Sequence, residues 1–184
     1  MLLKLYNGYD DFSLTVCEEF LANIKKEKAK PFFNYTDTEE LMDEDANFIK
    51  VYAVRDNDSE DWEAIFSTIL FNPYIFVGTL ANENITLIGY GQSIYALNQK
   101  TGELLWNFEA YELKEIIIDK NDRAIYVHDE TDIHKLGLDG REMWKYAHHE
   151  IIVQIEVNKR AIILYDFNNQ TYRMDAKIGK IQEL

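Results

Sequence analysis

From residue 74 onward the chain alternates short apolar runs with turn chemistry: residues 74–79, 85–90, 93–97 and 104–108, and so on to the C-terminus. Runs this short, rich in β-branched and aromatic side chains and bounded by Gly, Asn and Asp, predict strands. Before Pro73 the pattern differs. Val16, Phe20 and Ile24 recur at four-residue steps, Thr15 and Glu18 form a capping box, and Lys25, Lys26 and Lys28 stand where a helix C-terminus favours cations. This predicts an amphipathic helix over residues 15–28, closed by Pro31. A second capping box, Thr36 to Glu39, predicts a short helix leading into Glu40, Leu41 and the acidic run Asp43-Glu44-Asp45. Residues 48–54 read as a strand, residues 56–59 as a turn, and Trp62, Ile65, Phe66 and Ile69 show helical spacing that Pro73 ends. The expected fold class is therefore α+β. Residues 1–73 form a mixed helix and strand segment, and residues 74–184 form tandem antiparallel β-meander repeats, one cooperative unit resembling propeller blades.

The second half repeats with a period near 38 residues. Residues 93–106 align with 132–144, so that Trp106 and Trp144, and likewise Gly102 and Gly140, are 38 apart. A third copy places Tyr172, Met174, Asp175 and Gly179 77 residues beyond Tyr95, Leu97, Asn98 and Gly102. There the Trp position falls on Glu183. Each unit reads as strand, turn, strand, tight turn with Gly, strand, the Gly supplying the positive φ that a short hairpin needs. The Trp is expected to be a wedge between neighbouring sheets, because one such sheet cannot bury both faces alone.

Tyr95-Ala96-Leu97-Asn98, followed by Thr101-Gly102 and Trp106, resembles the pyrroloquinoline-quinone-like β-propeller repeat, whose pattern is aromatic-Ala-Leu-Asp, then Thr-Gly, then Trp. The resemblance covers roughly residues 74–184. Asn98 stands where that pattern has Asp, the second copy is one residue short in its turn, and the third lacks Trp. The repeat implies a structural role for Trp106, Trp144, Gly102, Gly140 and Gly179, and implies no quinone. The copies amount to about two and a half blades, fewer than the four or more of a closed propeller. Either the first half supplies divergent blades, or the sheets form an open stack capped by N-terminal helices; the second alternative is slightly preferred.

Charge narrows the function classes. The 184 residues include 33 acidic and 19 basic ones, for a net charge of −14. Such a molecule repels phosphate backbones and anionic lipid, so nucleic-acid and membrane binding are not expected. No basic, apolar leader opens the chain, and its one cysteine, Cys17, has no intramolecular partner, so a cytoplasmic protein is expected. Hydrophobic residues make up 47% of the chain, enough to build a core despite the charge.

The candidate chemistry is sparse. Asp56, Asp58 and Glu60 superficially suggest a calcium loop, but Asp61 stands where that loop needs Gly. His128, Asp129, Glu130, Asp132 and His134 gather two imidazoles and three carboxylates in seven residues, a set that could ligate metal or transfer protons. The repeat places this stretch at a β-turn, where polar residues are ordinary, and the same holds for His148-His149. Gly89-Tyr90-Gly91 precedes a strand rather than the helix a dinucleotide fingerprint requires. No catalytic residue, metal ligand or cofactor is assigned.

Residues 37–63 hold eleven acidic side chains against Lys50 and Arg55. Such a face steers a basic partner, with Asp43, Glu44, Asp45, Asp58, Glu60 and Asp61 as the candidate contacts. The expected function is a non-enzymatic protein-interaction module, in its most specific form an immunity-type protein bound to a basic toxin. The alternative is a binder or enzyme for a sugar or quinone-like ligand, held in a cleft between the sheets bearing Trp106 and Trp144.

Overall fold

The computed structural model describes residues 3–6, 12–19, 32–34, 47–55, 60–68, 70 and 73–182. Strands β1 (Leu3–Tyr6), β2 (Phe12–Glu19), β3 (Phe32–Asn34), β4 (Asn47–Arg55) and β5 (Glu60–Thr68) form one sheet in the order β1-β2-β4-β5-β3. Its pairs are antiparallel except β3, which runs parallel to β5. The α+β expectation is thus overturned: the described residues are strands and turns in four sheets, with one 3-10 turn over Ala81–Glu83. Thr15 to Glu19, expected to open a helix, continue β2, and Trp62, Ile65 and Phe66 lie on β5. The rest of the first expected helix, and the second over residues 36–45, lie outside the described residues. The strand expected at residues 48–54 is β4.

Burial explains the error at β5. Every residue from Trp62 to Thr68 is buried, so both faces of the strand are covered and the in-out alternation of a half-exposed strand is lost. Apolar residues at intervals of three and four then imitate a helix. Glu63, on this buried strand, is matched by Lys50 of β4, whose Nζ lies 2.8 Å from its carboxylate.

After Pro73 the chain forms three four-stranded meanders. The first joins β6 (Ile75–Leu80), β7 (Ile85–Tyr90), β8 (Ser93–Asn98) and β9 (Leu104–Glu109). The second joins β10 (Leu113–Asp119), β11 (Ala124–Asp129), β12 (Asp132–Gly137) and β13 (Glu142–Ala147). The third joins β14 (Ile152–Asn158), β15 (Ala161–Asp166), β16 (Thr171–Asp175) and β17 (Lys180–Gln182). Two compact units result, residues 1–107 and 108–184.

In the first unit, Ile49, Val51, Ala53, Trp62, Ala64 and Phe66 of one sheet pack with Ile88, Tyr90, Tyr95 and Leu97 of the next. Each fully buried aliphatic side chain of this kind contributes roughly 1.5–3 kcal/mol. In the second unit, Ala124, Tyr126 and Ile133 pack with Ile152, Ile155, Ile162, Leu164 and Met174. The strands of each sheet are therefore held by side chains that cross to a neighbour, as repeats stacked face to face require.

The repeat departures have local explanations. Asn98 Oδ1 accepts the backbone N–H groups of Lys100 and Thr101, and in the third copy Asp175 Oδ1 accepts those of Lys177 and Ile178 in the same way. The turn needs one side-chain oxygen acceptor, which Asn supplies as well as Asp. In the shortened second copy the acceptor moves to Asp139, which takes the N–H of Arg141. Gly137 then occupies the vacated position, where a Cβ would lie 2.6 Å from Asp139 Oδ1.

Candidate functional site

Gly102, Gly140 and Gly179 all have positive φ, at 71°, 78° and 67°. A Cβ on Gly102 would lie 2.7 Å from the Trp62 ring, and one on Gly179 would lie 2.6 Å from the Trp144 ring. Each of these Trp side chains therefore lies flush on a turn of the neighbouring sheet. Trp62 is held there by its indole N–H, which donates to the Gln99 carbonyl at 2.9 Å. Reading the repeat from Trp106 and Trp144 alone missed Trp62. The signal was a Trp 44 residues before Trp106, obscured by the helical spacing around it.

Of the expected partner contacts, Asp43, Glu44, Asp45 and Asp58 lie outside the described residues. Glu60 and Asp61 begin β5. Asp56 also lies outside the described residues. The structure therefore does not bring this acidic set together as a described surface.

The stretch from His128 to His134 has a definite geometry. It forms the hairpin between β11 and β12, with only Glu130 and Thr131 between the strands. The turn expected there is thus present, and His128, Asp129 and His134 flank it as buried residues. Pairing sets Val127 opposite His134 and His128 opposite Ile133. Because side chains alternate along a strand, Asp129, Asp132 and His134 project from one face and His128 from the other.

On the first face, the Asp129 carboxylate accepts the backbone N–H groups of Tyr111, Glu112 and Glu130 at 2.7, 2.8 and 2.6 Å. It thereby ties the connection before β10 to the hairpin. His134 Nδ1 lies 2.8 Å from Glu142 Oε2, while its Nε2 has no hydrogen-bond partner and lies 4.0 Å from Asp129 Oδ2. Asp132 pairs with Lys145 of β13 at 2.6 Å. The hydrogen bond to Asp132 and the charges of Asp132, Glu142 and Asp129 hold the Lys145 ammonium above its usual value, against some desolvation. Potential donor atoms of Asp129, Asp132 and His134 all lie within 4.8 Å of one another.

On the opposite face burial pushes the His128 ring below the ordinary imidazole value. Its Nε2 lies 3.0 Å from the Ile152 carbonyl, which requires the Nε2–H tautomer for a hydrogen bond. His148 is also buried, with Nδ1 3.0 Å from the Tyr146 hydroxyl and Nε2 3.4 Å from Asp166 Oδ2. His149 is exposed, its ring centred 4.4 Å from that of His148. Backbone hydrogen bonds bring these loops to one end of the unit: His148 N donates to Thr131 O, Ile152 N to Glu130 O, and Phe167 N to Ile151 O.

The sheets define a class, a propeller-like β fold. The chain is similar to the computationally designed Ika8 protein, with a TM-score of 0.54 and 14% identity over 77% of this chain and 46% of that one. It is similar to Sqt1 of Saccharomyces cerevisiae, with a TM-score of 0.54 and 9% identity over 77% and 44%. The designed Ika4 protein gives a TM-score of 0.51 and 15% identity over 62% of this chain and 73% of that one. The chain thus spans less than half the length of Ika8 and of Sqt1. No family model matches the sequence, and no curated protein matches it.

Proposed function

We propose that this chain is a non-catalytic, cytoplasmic interaction module built on pyrroloquinoline-quinone-like repeats, and that it binds a basic protein as an immunity-type protein does. The observation that carries the reading is the loop end of the second unit. Tyr111 and Phe167 are 74% and 68% exposed there, and Ile151, bonded through its carbonyl to Phe167, is exposed beside them. Exposed aromatic and aliphatic side chains on a chain of strong net negative charge fit an interface whose apolar centre supplies affinity and whose charge supplies association rate. The net charge of −14 favours a cationic partner over nucleic acid or anionic lipid.

Affinity capture tests the reading with three proteins: the native chain, a Tyr111→Ser/Phe167→Ser variant, and one with Asp43, Glu44, Asp45, Asp58, Glu60 and Asp61 neutralised. The expected result is one basic protein retained by the native chain, weakened by rising salt and by the neutralised variant, and lost with the double variant. Retention of that partner by all three proteins, insensitive to salt, refutes this interface. Retention of nothing basic refutes the proposed function.

A further inference from the structure

We infer that Asp129, Asp132 and His134 form a binding site for a divalent transition-metal ion such as Zn(II) or Co(II). This inference does not depend on a protein partner. Three observations lead to it. The His134 side chain is only 6% exposed, yet Nε2 has no hydrogen-bond partner and points into the gap beside Asp129. At 4.0 Å from Asp129 Oδ2, Nε2 is too far for a hydrogen bond, so a proton on that nitrogen would leave the gap unfilled.

The second observation is the contact behind the ring. With Nδ1–H donating to Glu142, Nε2 carries the lone pair and faces the carboxylate across the gap. A histidine whose other ring N–H is held by a carboxylate is the arrangement that orients an imidazole toward a metal. Glu142 would be a positioning residue, not a ligand.

The third is the sequence position. His134 stands 39 residues after Tyr95 and 38 before Tyr172, in the slot where the sister repeats hold a tyrosine. Packing alone is met by tyrosine at this slot in two copies. In the second copy, an imidazole is combined with acidic residues on the same face, Asp129 at the end of β11 and Asp132 at the start of β12.

The donors suit the ion. One imidazole nitrogen and two carboxylates select a borderline first-row ion over Ca(II) or Mg(II), which take oxygen ligands. Donors about 2.1 Å from a tetrahedral ion stand about 3.4 Å apart. The donor atoms lie within 4.8 Å, so no pair needs to close by more than about 1.4 Å. Charge balances as well: Asp129, Asp132 and Glu142 against Lys145 leave a net −2, which a divalent cation neutralises. Bound there, the ion would fasten the β11–β12 hairpin to the Tyr111–Glu112 connection through Asp129.

The test titrates metal-stripped full-length chain with Zn(II), and separately with Co(II), followed by calorimetry and visible absorption. One equivalent of each is expected, with Co(II) d–d bands and large contact-shifted NMR resonances from one of the four imidazole rings. His134→Tyr, which restores the residue of the sister repeats, and Asp132→Asn should abolish binding. Glu142→Gln should weaken it about 10- to 100-fold, as loss of such an outer contact does, and His149→Ala should leave it unchanged. Absence of binding by the native chain overturns the inference. So does binding that survives both His134→Tyr and Asp132→Asn, or that is lost in His149→Ala. If either variant fails to fold by circular dichroism, the NMR shifts of the native chain decide: contact-shifted resonances from a ring other than His134 overturn the site.

Discussion

The contact between Trp62 and Gly102 gives the sharpest stability prediction. In Gly102→Ala the added methyl carbon would lie 2.7 Å from Trp62 Cδ2 and 2.8 Å from Cγ. The indole cannot withdraw freely, because its ring is buried and its N–H is bonded to the Gln99 carbonyl. Two costs arise. Holding a non-glycine residue at a φ of 71° costs about 1–2 kcal/mol, and forcing a methyl into a filled space costs about 1–3 kcal/mol. The expected destabilisation is about 2–5 kcal/mol, a large part of the roughly 5–15 kcal/mol that holds a domain folded.

Guanidinium unfolding, monitored by circular dichroism, measures this directly. The same substitution in a Trp62→Ala background separates the costs, since the steric part disappears and only the backbone part, about 1–2 kcal/mol, remains. If Gly102→Ala costs less than about 1 kcal/mol, or costs the same with and without Trp62, then the Trp is not packed on the turn and the wedge interpretation of the repeat is wrong.

Other predictions concern the second unit and the indoles. Lys135 is buried, bonded to Asp122 and to the Ala176 carbonyl, whereas the Asp122 side chain is 45% exposed. Removing the exposed partner strands a buried charge, so Asp122→Ala should destabilise by about 3 kcal/mol and Lys135→Met by less; equal losses in chemical denaturation would refute this asymmetry. Burial pushes the Asp166 carboxyl up, but the N–H groups of Gln170 and Asn168 and the ring of His148 outweigh it and hold it below its usual value. Its contribution is therefore present above the unfolded value of about 4 and is lost as pH falls through the lower folded value. The stability gap between native chain and Asp166→Asn should be constant above pH ~5 and narrow in acid; a gap that widens in acid refutes the assignment. Trp144 Nε1 is buried without a hydrogen-bond partner, unlike Trp62 Nε1. Trp62→Phe should therefore cost about 1 kcal/mol more than Trp144→Phe in paired unfolding curves, and the reverse order would contradict the hydrogen-bond assignments.

How much of this was legible in the sequence depends on exposure. In the meanders after Pro73 the turns carry Gly at φ above 60° with an Asn or Asp acceptor beside it, as at Asn98 and Gly102 and again at Asp175 and Gly179. Those requirements are local, so Gly102, Gly140 and Gly179 revealed the repeat without any knowledge of the fold. β5 gave no such sign, because burial on both faces removes the alternation that distinguishes strand from helix.

Trp62 could be recognised as a counterpart of Trp144 only when each was found against a turn glycine of the next sheet. The candidate site divides in the same way. The sequence supplied His128, Asp129, Asp132 and His134 and placed them at a turn. Strand pairing decided that three of them share a face and that His128 does not. Glu142, on a different strand, entered only through the register of β12 against β13. Local chemistry fixes turns and strand rhythm because neighbours in the chain determine it; which side chains meet depends on pairing and stacking between distant segments, and only the folded chain decides that.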